Sequence, residues 1–199
     1  MLIAIKVGLS AVAVNDHNRP AGAREVARVA KGHALLVVPA SEVSSFNGHI
    51  IALGVTEPIP KGLSPDETVR RINDFGGLAV AAHPGRFYTG LSINEVRASQ
   101  FEAVEVANGG SSRRQNHLAN ILADSKNLGK TGGSDAHHPE HIGRCRTVFQ
   151  NEPTSVEELL EEIRAHRTTT SGEGLSLGGQ MTHNLGMFSR WLGRGGKRM

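Results

Sequence analysis

Cysteine is nearly absent. Cys145 stands alone in 199 residues, so no internal disulfide can form, and a lone thiol fits a reducing, cytoplasmic setting. Long apolar runs are missing too. No stretch approaches the roughly 20 residues that a membrane-spanning helix needs, and the first residues lack the apolar core and small-residue cleavage site of a secretory signal. Aromatic residues make up only 4%, which argues against a stacking platform for single-stranded nucleic acid, since such a surface needs several exposed rings. Charge of one sign is not in large excess: 22 Lys and Arg face 19 Asp and Glu, a net +3. That balance suits an anionic substrate and equally a plain solvated surface. Repeats, linkers and low-complexity tracts do not occur. With 38% apolar residues the chain is neither disordered nor membrane-embedded, and its length fits a single domain over 1–199.

What is present is a regular alternation of short apolar runs and amphipathic stretches. Residues 11–14 (AVAV), 34–38 (ALLVV), 50–55, 78–82 (LAVAA) and 103–106 (AVEV) read as strands, with shorter ones at 130–132, 147–149 and 168–171. Helices are predicted over 22–31, from Ser64-Pro65-Asp66-Glu67 to about 76, over 116–128 and over 155–166, with a terminal one at 181–191. Val26, Val29 and Ala30 would form the apolar face of the first, and Leu118, Ile121 and Leu122 that of the third. Strands alternating with helices imply a parallel α/β arrangement with strands buried on both faces. The Gly-rich basic end, 192–199, reads as a frayed tail.

The ten His are more informative than the charge. In parallel barrels functional groups gather at the C-terminal ends of strands. Asp16 and His17 follow the first strand, and Glu42 lies a few residues beyond the second. His83 ends the LAVAA strand. Glu105 and Asn108 lie in and after AVEV, and Asp135 and His137 follow the Gly132-Gly133 turn. Each alone is as readily a cap or a turn residue as a ligand. Together they favour a metal site, because Zn²⁺ and Mn²⁺ take imidazole nitrogen and carboxylate oxygen. A carboxylate such as Glu42 or Asp135 would bridge neighbouring ions. His49 precedes its strand, so it sits at the wrong end for this pattern.

At these residues the sequence resembles the PHP family (polymerase and histidinol phosphatase). Residues 12–18 (VAVNDHN) look like the family's second motif, with Asn15 where Thr is usual. Residues 38–54 (VPASEVSSFNGHIIALG) resemble its Gly-x-Glu segment followed by Gly-His, with Ala40 where Gly is common. Residues 77–84 (GLAVAAHP), 103–109 (AVEVANG) and 132–147 (GGSDAHHPEHIGRCRT) match its later motifs. Residues 171 onward look like the C-terminal extension of some members.

The resemblance implies a distorted (β/α)7 TIM-like barrel and two or three divalent ions (Zn, Mn or Fe), with no organic cofactor. It assigns His17, Glu42, His83, Asp135 and His137 as ligands, His49 as a ligand position of some members, and Asp16 as a residue that orients a ligand or the water. Glu42, Asp135 and Asp16 are then the carboxylates nearest the chemistry. The family opens with Asp-x-His-x-His-Thr on its first strand. No His precedes His17 here, so that strand and two ligands are expected to be missing: either the natural start lies further upstream, or the chain is a genuine truncation with an incomplete metal centre and an exposed sheet edge, which a homodimer would cover.

The expected activity is phosphoester hydrolysis by a metal-bound hydroxide, on a small phosphorylated metabolite, a nucleotide or an RNA end. Arg86 and Arg114 are candidates for gripping phosphate, which matches the planar fork of guanidinium. Two other readings stay open: a catalytically inactive, truncated PHP fold, and a metal-dependent amidohydrolase.

Overall fold

The structure, a computed structural model, describes residues 1–176. The helix expected at 181–191 and the basic tail lie outside the described residues. The chain runs α1 (Leu2–Lys6), β1 (Ala11–His17), α2 (Ala21–Ala30), β2 (Leu36–Ser44), β3 (His49–Leu53), α3 (Pro65–Asp74), β4 (Leu78–Ala81), α4 (Ile93–Ala98), β5 (Ala103–Asn108), α5 (Arg113–Lys126), β6 (Gly129–Gly133), β7 (Cys145–Phe149), α6 (Val156–Arg164) and β8 (Thr168–Gly172). Strands β1 to β6 form one sheet in sequence order, and β7 pairs with β8 in a separate ribbon. The sheet curls into a half-barrel. The other edge of β1 pairs with no strand among the described residues.

The sheet is not all parallel. β1 and β2 are parallel, as are β4, β5 and β6, but β3 runs antiparallel to both of its neighbours. Chain length explains this. Only residues 45–48 separate β2 from β3, and a parallel crossover needs a dozen or more, so a hairpin is the available connection. Reversal of β3 puts its first residue, His49, beside Ser44 at the end of β2. The misplaced His49 of the sequence pattern is therefore at the functional end after all.

Several elements extend beyond their apolar cores. β1 continues through Asn15-Asp16-His17 and β2 through Ser41-Glu42, because pairing with a neighbour, not hydrophobicity, ends a strand. Glu42 thus lies within β2, not beyond it. α5 begins at Arg113, before the predicted 116, since Ser112 and Gln115 form a reciprocal capping box. Its buried face is Ala119, Leu122 and Ala123, while Leu118 and Ile121 are exposed. Small alanines let the helix approach β5 closely, and that outweighs the larger apolar pair. α2 likewise buries Ala23 and Ala30 and leaves Val29 exposed.

Alternation along the strands builds two cores. One face carries Val43, Ile50, Ala52, Ala79, Ala81, Val104 and Val106 against Val69 and Ile72 of α3, Val96 of α4 and Leu122 of α5. The other carries Val38, Ala40, Leu53, Leu78, Val80 and Ala103 against Leu159, Leu160 and Ile163 of α6. The second, inner face matters for function, because its columns of small apolar residues end in polar ones.

Candidate metal centre

Register carries the inner face upward from apolar to ionisable. His17 pairs with Glu42 and Ala13 with Val38, so the inner column of β1 ends in His17 and that of β2 in Glu42. Ile51 pairs with Glu42 and Leu53 with Ala40, which places His49 at the top of the same face in β3. Ala103 pairs with Val80, so Glu105 tops the inner column of β5. His83 follows β4, and Asp135 and His137 follow β6. Four strands thus bring His17, Glu42, His49 and His83 together.

Glu42 is the hub. Its Oε1 lies 2.7 Å from His49 Nδ1 and 2.9 Å from His83 Nε2, and its Oε2 is 3.7 Å from His17 Nε2. The rings of His17 and His49 are 5.1 Å apart and those of His49 and His83 5.5 Å. Burial opposes ionisation of Glu42, but the hydrogen bonds to His49 and His83 and their charges outweigh it and hold the carboxyl well below its usual range. The anion is therefore kept where cationic partners gather.

A second group faces the first across one cavity of about 630 Å³, lined by His17, Glu42, His83, Glu105, Asp135 and His137 among others. Glu105 is buried. It accepts hydrogen bonds from the His83 backbone N–H, at 3.0 Å, and from Asn108 Nδ2, at 2.9 Å. Burial, with the Asp135 charge adding to it, pushes its carboxyl up to about 7. Asp135 is ion-paired with Arg86. His137 stands at the rim, its Nδ1 3.1 Å from the Asp135 carbonyl oxygen, with its side chain 57% exposed. His83 and Asp135 both have positive φ, 30° and 51°. Such backbone costs energy in non-glycine residues and concentrates at functional sites.

Cys145 lines the cavity as well. Burial, and then the Glu105 charge, push its thiol up to about 11, so it stays protonated and is a poor nucleophile.

Two other sequence-derived candidates are placed differently. Asp16 neighbours His17 in a strand and so points to the opposite face, where its carboxylate packs against Gly22 of α2. The residue lines the same cavity without a hydrogen bond to the Glu42 cluster among those described. Arg114 is exposed on the first turn of α5 and does not line the cavity. Glu105, by contrast, was legible in sequence only as a strand-end carboxylate, yet it links His83 to Asn108.

The donor set fits a divalent cation. His17, Glu42 and His49 each offer a ligand atom within 4.8 Å of the others. Nδ1 of His17 and Nδ1 of His83 are buried without a hydrogen-bond partner, and a buried polar atom without a partner is a site for an ion or a water.

Fold and cluster define an α/β half-barrel with a His/Glu site suited to metal. More particularly, the chain has the fold of the PHP-family metal-dependent phosphoesterases, and the PHP-associated family model matches residues 113–168. An uncharacterized protein of Methanocaldococcus jannaschii is 45% identical over 82 residues, 41% of this chain and 48% of that protein. A 3',5'-nucleoside bisphosphate phosphatase of Chromobacterium violaceum is 37% identical over 107 residues, 51% of this chain and 38% of the relative. The matches thus span about half or less of these relatives. Among solved structures, a two-domain protein of Bacteroides vulgatus containing a predicted PHP-like metal-dependent phosphoesterase superposes with a TM-score of 0.71 at 20% identity, covering 85% of this chain and 58% of that one. Among the described residues no helix is long and apolar enough to cross a membrane.

Proposed function

We propose that this chain hydrolyses a phosphate ester, with a phosphorylated nucleotide as substrate, in a centre held by His17, Glu42, His49, His83, Asp135 and His137. The observation that carries the reading is the ring of three imidazoles around the Glu42 carboxylate, beside a cavity that Asp135, the ion-pair partner of Arg86, also lines. Divalent ions bound there would supply Lewis acidity to water and positive charge to the phosphoryl oxygens.

The residues of the chain then divide the work. Glu42, between imidazoles on two sides, would supply the anionic oxygens that hold a divalent ion and offset its charge. Glu105 fixes the His83 backbone from behind, as an outer partner that sets a ligand's orientation does. Arg86, on the loop after β4, reaches Asp135 at the cavity. It is placed to orient phosphoryl oxygens while water attacks phosphorus, the P–O bond to the leaving alcohol breaks, and that oxygen takes a proton. Nucleotide substrates draw support from the Chromobacterium relative, which acts on nucleoside bisphosphates.

Metal content and phosphate release test this together. Protein purified without chelator is expected to carry more than one Zn, Mn or Fe ion per chain by elemental analysis, and to release phosphate from nucleotides in a metal-dependent way. One ion or none, or turnover of amides with none of phosphoesters, would overturn the reading.

A further inference from the structure

Three of the chain's eight aromatic residues lie on two adjoining loops. Two of its six Phe and its only Tyr are among the most exposed large apolar side chains of the described residues: Phe46, Phe87 and Tyr88, at 75%, 74% and 67%. Phe87 and Tyr88 follow Arg86 directly, and their ring centroids are 3.9 Å apart. Phe46 is on the turn between β2 and β3. Just after that turn, the first residue of β3 is joined to the Phe87-Tyr88 loop by a hydrogen bond from the His49 N–H to the Thr89 carbonyl, at 2.8 Å. All three rings therefore belong to two adjoining loops at the functional end of the sheet.

The loop that carries the pair is built, not frayed. It is closed at its base by the Gly85 N–H on the Leu91 carbonyl, at 2.7 Å, and inside by the Gly90 N–H on the Arg86 carbonyl, at 3.0 Å. Gln115 Nε2 donates to the Gly85 carbonyl from α5, at 2.9 Å. A Cβ at Gly90 would fall 2.8 Å from the Arg86 backbone nitrogen, so only glycine lets the loop fold this tightly. Tyr88 is held at φ 67°, a conformation that costs a bulky residue energy. Apolar rings held side by side in water, in strained backbone on a braced loop, have no packing reason to be there.

We infer that Phe87 and Tyr88 form a stacking ledge for the base of a nucleotide whose phosphate ester lies at the Arg86–Asp135 side of the cavity. The inference deepens the proposed phosphoesterase reading and rests on it. An aromatic face takes any base, because every base has a π-face, and the adjacent guanidinium supplies the complementary site for phosphate. Scarcity of aromatics therefore excludes an extended platform for a strand, but not a ledge for a single base.

Isothermal titration of the full chain with Mn²⁺ tests the ledge, using AMP, ribose 5-phosphate and a 5'-phosphorylated oligoadenylate. AMP is expected to bind about tenfold or more tightly than ribose 5-phosphate, the usual scale for loss of one stacked base. In the double variant Phe87→Ala, Tyr88→Asn that ratio is expected to fall close to one. Asn is chosen because it tolerates positive φ, and both positions are exposed, so folding is spared. Ring-dependent binding of either AMP or the oligonucleotide supports the ledge, and the tighter of the two identifies a free nucleotide or a strand end as its source. Equal affinity for AMP and ribose 5-phosphate, an unchanged ratio in the variant, or no ring-dependent binding of either AMP or the oligonucleotide overturns it. A base preference that depends on the rings without phosphate release would leave the ledge standing and sink the phosphoesterase reading. Equal turnover of both phosphates would do the reverse.

Discussion

The two sides of the half-barrel are built differently. On one side, β4 and β5 are buried along their whole length and β2 from Ala40 onward, and the groups they carry, Glu42, His49, His83, Glu105 and Asn108, are buried with them. On the other side, no residue of β1 is fully buried, the His17 side chain is 32% exposed, and Asp135 and His137 sit on an irregular stretch after β6. Helices account for the contrast. α3, α4 and α5 cover the outside of the sealed strands and α6 the inside, whereas β1 has α2 on one face and no strand at its outer edge among the described residues. A site divided in this way is pre-formed on one side and left adjustable on the other, which would suit the proposed centre, one that takes up ions and releases product.

The sharpest way to break this contrast is to remove the hub. Glu42→Ala is expected to lower divalent-metal affinity by more than about 100-fold, beyond the range for loss of an outer partner. It also leaves His49 and His83 without their acceptor in a buried setting, at a cost of about 1–3 kcal/mol each. Metal titration and thermal unfolding of the metal-free variant read the two effects separately. Loss of metal affinity without loss of stability would mean that the sealed side is not pre-formed by these bonds.

Glu105 tests the sealed side through pH. Its carboxyl is pushed up to about 7 by burial first and by the Asp135 charge as well, against an ordinary value of 4.5. Between those values the folded chain keeps a proton that the unfolded chain has lost. Stability of chelator-treated protein is therefore expected to fall as pH rises from about 4.5 to 7, and to stay lower above it, by on the order of 3 kcal/mol. Glu105→Gln, which mimics the protonated form, should flatten that slope and unfold at higher denaturant than the parent at pH 8. A slope that survives in the variant would assign it to another group.

How much of this was legible in the sequence follows the same division. Helix starts at Ser64 and the rhythm of apolar strands were readable because caps and period-two burial are local. The candidate ligand positions stood out because they recur at strand ends. His49 looked misplaced only because strand direction is not written in a strand's own residues. It is set by the short turn 45–48, whose length does carry the signal. Asp16 was read as orienting a ligand or the water beside His17, although alternation puts neighbours on opposite faces. The lone carboxylate within AVEV was the available sign that Glu105 is an inner-face group. The pairing of Arg86 with Asp135 joins residues 49 apart in sequence through two loops, and no local pattern announces such a contact. Leu118 and Ile121 misled because size is a poor guide to burial where alanine allows closer approach.

The two imidazoles at opposite ends of the burial range give a direct test. His83→Ala, on the sealed side, is expected to cost about 100-fold in metal affinity and to destabilise the metal-free protein. His137→Ala, at the rim, is expected to cost about tenfold and to leave unfolding within about 0.5 kcal/mol of the parent, as for other exposed positions. Equal losses from the two would show that exposure does not grade these ligands.

Arg86 joins the halves, since its loop follows sealed β4 and its guanidinium pairs with Asp135 on the open side. Two consequences of Arg86→Ala can be separated. If the guanidinium holds phosphate equally in ground and transition states, KM is expected to rise by about three- to tenfold with kcat nearly unchanged. Asp135, freed from its cation, should bind divalent metal no more weakly than in the parent, because one positive charge competing for the carboxylate has gone. A fall in metal affinity would instead mean that Arg86 positions Asp135 for the ion, and that the open side is held in shape by this one bridge.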